Sequence, residues 1–286
     1  MKRLFPILAI ATAGLLSYAL YLALVVAPTD QMQGDVYRII YYHVPSAWTA
    51  FLLFFLNFVA SVICLVRPRP QADRIANFTV IGIGILICIG AYVFPLPAGM
   101  EPSAIATTGI LVAAFYFAVR KLFPGDRADV LALVTAEVGV VFCTVVLVTG
   151  PLWARPVWGI WWAPGDIRLT STLVLWLIYI SYLMLRKFSN SGNTPTIAAA
   201  LAVFGALDVP LVYFSIWFFR TQHPQPVIGG GGSIDPRMLH VLLVSWLGFL
   251  CFAYLVCWSR YRLEVVKREV DEKLAMEALL EPGGVR

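Results

Sequence analysis

Between Pro156 and Ser171 the chain reads PVWGIWWAPGDIRLTS, a stretch that concentrates recognition chemistry. Trp158, Trp161 and Trp162 stand at i, i+3 and i+4, a spacing that puts three indoles on one face of a short helix. Asp166 and Arg168 follow a Pro-Gly step and place charge at the polar end of that face. A flat aromatic platform rimmed by charge suits a large planar ligand that carries carboxylates. The competing reading is an interfacial belt, in which Trp sits at headgroup level. A belt explains one indole better than three clustered with an acid and a base, so a binding surface is the expectation.

The chain has three histidines, His43, His223 and His240. His43 ends the run GDVYRIIYYH, and Pro45 just after it suits the first turn of a helix, where a missing N–H costs little. His223 stands in FFRTQHPQP, between Arg220 and two prolines, ahead of the flexible run Gly229 to Gly232. Neutral imidazoles supply axial nitrogens to haem iron. Indoles stack on a macrocycle or edge it, and Arg38, Arg168 or Arg220 can grip its propionates in charge-assisted forks. The combined residues describe a haem site. Each histidine taken alone is an ordinary surface histidine.

The elements that must position these residues are membrane helices. Of 286 residues 60% are hydrophobic and 13% charged, against about 45–50% and about 25% in soluble globular proteins. A span needs about 20 apolar residues, and eight segments qualify, at roughly 4–27, 46–66, 76–96, 102–119, 129–150, 170–187, 196–217 and 238–258. The first, after Lys2 and Arg3, is too long for a signal peptide and is followed by no A-x-A site, so a retained helix is expected. Gly82, Gly84, Gly90 and Gly139 would permit close helix approach.

With the N-terminus cytoplasmic, only Arg38, Arg155, Arg168, Arg220 and Arg237 of the 21 Lys and Arg fall on the outer side. The positive-inside rule then places both termini in the cytoplasm and the aromatic and histidine loops outside. The net charge of +5 reflects topology, so it implies the lipid bilayer and no nucleic acid as partner. Five cysteines lie inside apolar segments with no CxxC or CxxCH, so neither a dithiol redox pair nor covalent c-type haem attachment to this chain is indicated.

Three patches carry a family resemblance: GDVYRIIYYHVPSAW around His43, PVWGIWWAPGDIRLTS, and the closing half from Asp208-Val209-Pro210 through FFRTQH to SIDPRML. In these the chain resembles the CcmC-type haem-handling proteins of cytochrome c maturation, within the tryptophan-rich (WWD) group. The resemblance implies an all-α integral protein of the bacterial inner membrane that holds haem b at its periplasmic face, with His43 and His223 as axial ligands. It implies that Trp158, Trp161, Trp162, Asp166 and Arg168 form the haem-contacting surface. Its implied partners are a periplasmic haem chaperone, ABC transporter subunits and a small membrane protein, and its implied role is haem transfer rather than conventional catalysis. The expected organisation is one polytopic domain over 1–286. Within it lie a first periplasmic loop at 28–45, an added hairpin at 70–125, the Trp-rich loop at 151–170, the His223 loop at 218–237 and a cytoplasmic tail at 259–286.

Two departures from the family stand out. Pro164 and Gly165 precede Asp166 where the family pairs Trp with Asp, and eight spans replace the usual six. Two other functions compete. A bis-histidine haem b electron carrier would keep its ligands within spans, which only His240 could satisfy. A haem or small-molecule permease would show repeats or paired broken helices, and its support is confined to Asn57, Glu137 and Asp208. These lie at comparable mid-span depth, where polar groups face the bundle interior and could meet. Asp208 beside Pro210 also marks a kink, and the tail reads as an amphipathic helix lying on the membrane surface.

Overall fold

Long apolar runs joined by short loops leave the backbone one way to satisfy its hydrogen bonds in lipid, which is within each segment. The computed structural model describes residues 4–93, 101–124, 126–189, 191–219, 221–224 and 234–280, with the side chain of Trp217 excepted. In chain order the helices are α1 (Leu4–Tyr21), α2 (Ile40–Val66), α3 (Pro70–Val93), α4 (Pro102–Leu122), α5 (Arg127–Trp158), α6 (Ile167–Phe188), α7 (Thr194–Ala206), α8 (Asp208–Phe218) and α9 (Pro236–Leu280). A π-helical turn, Leu22–Val26, extends α1, and a 3-10 turn, Asp35–Ile39, leads into α2. Among the described residues eight helical units are long and apolar enough to cross a membrane, α7 and α8 together forming one of them. The chain is an all-α polytopic membrane protein.

The third span starts six residues early, at Pro70, and four other differences bear on the site or the tail. The expected start of the second span at 46 shifts to Ile40, because the 3-10 turn has already set helical backbone and Pro45 is absorbed near the helix start. His43 therefore stands in the first turn of α2, not in a loop. The fifth span, expected to stop at 150, runs on to Trp158 and is ended by Gly159 at φ 77°, whose N–H bonds the Arg155 carbonyl at 3.1 Å. Glycine accepts that left-handed conformation without a Cβ penalty. The seventh span breaks at Leu207, where Asp208 and Pro210 open α8. The last span and the tail form a single helix of 45 residues, with no break between them.

The antiparallel pair α2 and α5 makes the core, flanked by α6, α7 and α9, while α3 and α4 pack chiefly on each other. Asp73 and Arg120 tie α3 to α4, and Gly109 on α4 lets α3 approach, since a Cβ there would come within 2.9 Å of Ile87 Cγ2. Phe54 on α2 is fully buried, stacked on Tyr179 of α6 with ring centres 3.9 Å apart. Gly139 makes room for it: a Cβ there would come within 2.7 Å of Phe54 Cε1. Because Phe54 is pinned by Tyr179 it cannot swing away. Gly139→Ala is expected to destabilise the protein by about 1–3 kcal/mol, read as a lowered Tm of the purified protein in detergent.

Asn57, Glu137 and Asp208 do not form the expected trio. Asn57 donates to the Ala132 carbonyl at 2.6 Å and accepts from the Tyr179 hydroxyl at 3.4 Å. Glu137 instead takes a two-bond fork from Arg260 of α9, both bonds 2.8 Å. Asp208 stays half-buried at the α7–α8 break with Oδ2 unpartnered among the described residues. Glu137 lies ten residues into α5, and its pairing with Arg260 of α9 separates it from the others.

Candidate functional site

His43 and His223 come together although 180 positions separate them along the chain: their ring centres are 6.4 Å apart and the rings tilted by 32°. The first is held by α2, the second by the short segment that follows α8. Their tautomers follow from their neighbours. His43 Nδ1 lies 2.9 Å from Thr149 Oγ1 on α5, and that hydroxyl already donates to the Val145 carbonyl at 2.7 Å. The hydroxyl therefore accepts, so Nδ1 carries the proton. His223 Nδ1 faces the Pro224 carbonyl at 3.0 Å, which can only accept. Both imidazoles thus keep the Nε2 lone pair for a ligand. Burial, and then the nearby Arg168 charge, hold the His223 imidazole down to about 4, against the opposing pull of the Pro224 carbonyl and Asp166. At neutral pH it is uncharged.

The two rings border a cavity of about 1520 Å³, its open mouth included. It reaches from His43 to Ala50 along α2 and from Gly150 to Cys143 along α5, two helical turns or about 10 Å below the histidines. Its deep walls are apolar, including Val146, Val212 and Ile216. Trp48 lines it deeper along α2, and Trp153, Trp158 and Trp162 line it higher up.

The indole platform differs from the expected helical face. Gly159 ends α5 directly after Trp158, so Trp161 and Trp162 fall beyond the helix and no i, i+3, i+4 stripe forms. Trp158 and Trp162 line the cavity, whereas Trp161 is 56% exposed and does not. Its place beside Trp158 is taken by Trp153, edge-on with centres 4.9 Å apart and its Nε1–H donating to Gln33 Oε1 at 2.8 Å. Trp153 lies within 151–170, expected as loop, and reaches the wall because α5 runs two turns beyond 150.

The charged residues divide sharply. Arg168, second in α6, lines the cavity, and its Nη1 is buried with no partner among the described residues. A buried guanidinium nitrogen without an acceptor is costly, so this one is a donor that an anionic group at the cavity wall would satisfy. Arg38 is spent on the fold: Nη1 donates to the Ala23 and Ala27 carbonyls at 2.7 and 3.0 Å and Nε to Asp35 at 2.9 Å. Those carbonyls are the unpaired end of the α1 extension, which an arginine fork satisfies. Asp166 is buried, 4% exposed, and does not line the cavity. Arg220 and Gly229 to Gly232 lie outside the described residues. His240 is exposed on α9, away from the cavity.

Fold and site together define a polytopic membrane protein with a tryptophan-walled chamber under a histidine pair at one end of its helix bundle. The chain belongs to the heme exporter protein C (CcmC) family, which it matches over residues 1–94 and 101–276. It is 29% identical over 279 residues to heme exporter protein C of Bradyrhizobium diazoefficiens, covering 96% of this chain and 84% of that one. To heme exporter protein C of Escherichia coli K12 it is 28% identical over 280 residues, covering 97% and 90%. The Haemophilus influenzae protein of the same name is 26% identical over 271 residues, covering 93% and 87%.

Proposed function

We propose that this protein binds haem b between His43 and His223 at the periplasmic face of the inner membrane and presents it to a periplasmic haem chaperone during cytochrome c biogenesis. ABC transporter subunits and a small membrane protein would be its membrane partners. Family membership supports haem handling in cytochrome c maturation as the general role. The observation that carries the site is the histidine pair. A metal held by two imidazoles lies about 2 Å from each ring nitrogen, which sets facing ring centres roughly 6 Å apart, and this pair stands at 6.4 Å. The donor set fits haem: two neutral imidazoles, an apolar chamber for the macrocycle, indoles along its wall and an unpartnered guanidinium for a carboxylate. Bound haem supplies an iron centre and a reactive periphery; the protein's residues grip, orient and shield it.

The position of His43 inside α2 favours an electron carrier as the second reading, since such carriers ligate haem from helices. Against it, His223 lies on an inter-helix segment beside the chamber mouth, where a recipient can reach. Absorption spectra of purified, haem-loaded protein test the assignment. His43→Ala and His223→Ala are each expected to lose the six-coordinate low-spin spectrum or most of the bound haem. If both variants keep the wild-type spectrum, the ligand assignment fails. Covalent loading of a co-expressed haem chaperone separates hand-over from electron transfer: a carrier leaves the chaperone empty.

A further inference from the structure

His223 rides on a short segment with little structure of its own, yet it must meet a ring on another helix. Among the described residues, every hydrogen bond that 221–224 makes to another element ends on one carboxylate, that of Asp166. Its Oδ2 accepts from the Thr221 hydroxyl in a short bond and from the Gln222 N–H at 2.9 Å. The Thr221 hydroxyl oxygen in turn accepts from the His223 N–H at 3.1 Å. Meanwhile Oδ1 caps α6, accepting from the Arg168 and Leu169 N–H groups at 3.0 and 3.2 Å. One buried side chain therefore ties the start of the helix that carries Arg168 to the segment that carries His223.

We infer that Asp166 is a positioning residue that sets the His223 imidazole opposite His43, and that it acts through Thr221 and Gln222 without touching the ligand. This rests on the haem reading above. The expectation from the Trp-rich stretch, that Asp166 belongs to the ligand-contacting surface, is replaced by this second role. Both oxygens are committed, Oδ1 to the cap and Oδ2 to the clasp, and the residue lies off the cavity wall. A carboxylate is required because four donors converge on it; an ionised acid accepts at all of its lone pairs and donates nowhere.

Asp166→Asn separates the two jobs. Asparagine caps a helix as well as aspartate does, so its oxygen keeps the α6 start while its NH₂ faces the Gln222 N–H, donor against donor. Thr221→Val attacks the clasp from the other side and leaves the cap untouched. In haem-free protein, hydrogen exchange of the peptide holding Gln222 and His223 is expected to quicken about tenfold or more in Asp166→Asn, as a charged hydrogen bond is lost. In haem-loaded full-length protein, the same variant is expected to lose a large share of six-coordinate haem, and millimolar imidazole is expected to restore the low-spin spectrum by filling the vacated position. Thr221→Val is expected to move both readouts the same way to a smaller extent, and it carries the test if Asp166→Asn fails to accumulate.

The outcomes separate cleanly. Unchanged exchange in both variants overturns the clasp. Faster exchange with a wild-type spectrum, while His223→Ala alters that spectrum, overturns the positioning role. A spectrum indifferent to His223→Ala itself strikes at the haem reading, and the exchange measurement then decides the clasp alone.

Discussion

Asp129→Ala is expected to destabilise the folded protein by about 3–5 kcal/mol, the cost of stranding a buried charge. Asp129, 6% exposed, opens α5 at the end of the bundle opposite the histidines. It takes a bidentate fork from Arg186 of α6, with bonds of 2.7 and 2.6 Å, and a third bond of 2.8 Å from Arg268 of α9. Only 9% of the Arg186 side chain is exposed, so it has no water to fall back on. Its one other side-chain partner among the described residues is the Tyr182 hydroxyl at 3.3 Å, a neutral group. Against a typical total stability of about 5–15 kcal/mol, that loss removes much of the folded population. Thermal unfolding in detergent measures it. The double variant Asp129→Leu with Arg186→Leu is expected to recover most of the loss, because an apolar pair replaces a buried ion pair at little cost. A single variant as stable as wild type would show that the three-helix junction is held by packing alone.

Arg168→Met is expected to weaken haem binding about 10- to 100-fold, the worth of a charge-assisted hydrogen bond in a water-poor site. Haem-free Arg168→Met should lose no stability, since the wild type buries a guanidinium nitrogen with no partner among the described residues and methionine fills similar space without that cost. The two effects have opposite consequences for the protein, which makes the prediction sharp. Titration with haem and with its propionate dimethyl ester distinguishes the cause. If Arg168 serves a propionate, the ester binds wild type and variant alike. An equal loss with both compounds would reduce Arg168 to a wall residue.

Much of this architecture was legible from residue chemistry. Eight apolar runs of bilayer length, broken by basic loops, leave few alternatives to eight helices, and Asp208 with Pro210 marked a real break. The aromatic and histidine patches were visible as patches. What the chain could not announce was tertiary. The i, i+3, i+4 spacing of Trp158, Trp161 and Trp162 predicts a shared face only if the helix continues, and Gly159 ends it. Arg38 carried the right charge for a propionate, but the unpaired carbonyls of Ala23 and Ala27 claim it. Glu137 and Asn57 share an apolar setting, but Arg260 of α9 claims Glu137 while Asn57 is taken by the Ala132 carbonyl and the Tyr179 hydroxyl. Asp166 bonds Thr221 across 55 positions, a pairing that no local pattern encodes.

The unbroken run of α9 has a mechanical side. Its 45 residues make a rod about 68 Å long, over twice the roughly 30 Å of hydrocarbon it crosses. The Arg260–Glu137 contact pins it to α5 partway along, and the Arg268–Asp129 contact pins it again eight residues, or about 12 Å, further on. Two clamps fix a rod's direction where one would leave a hinge, so the stretch beyond Arg268 continues on a line that α5 sets.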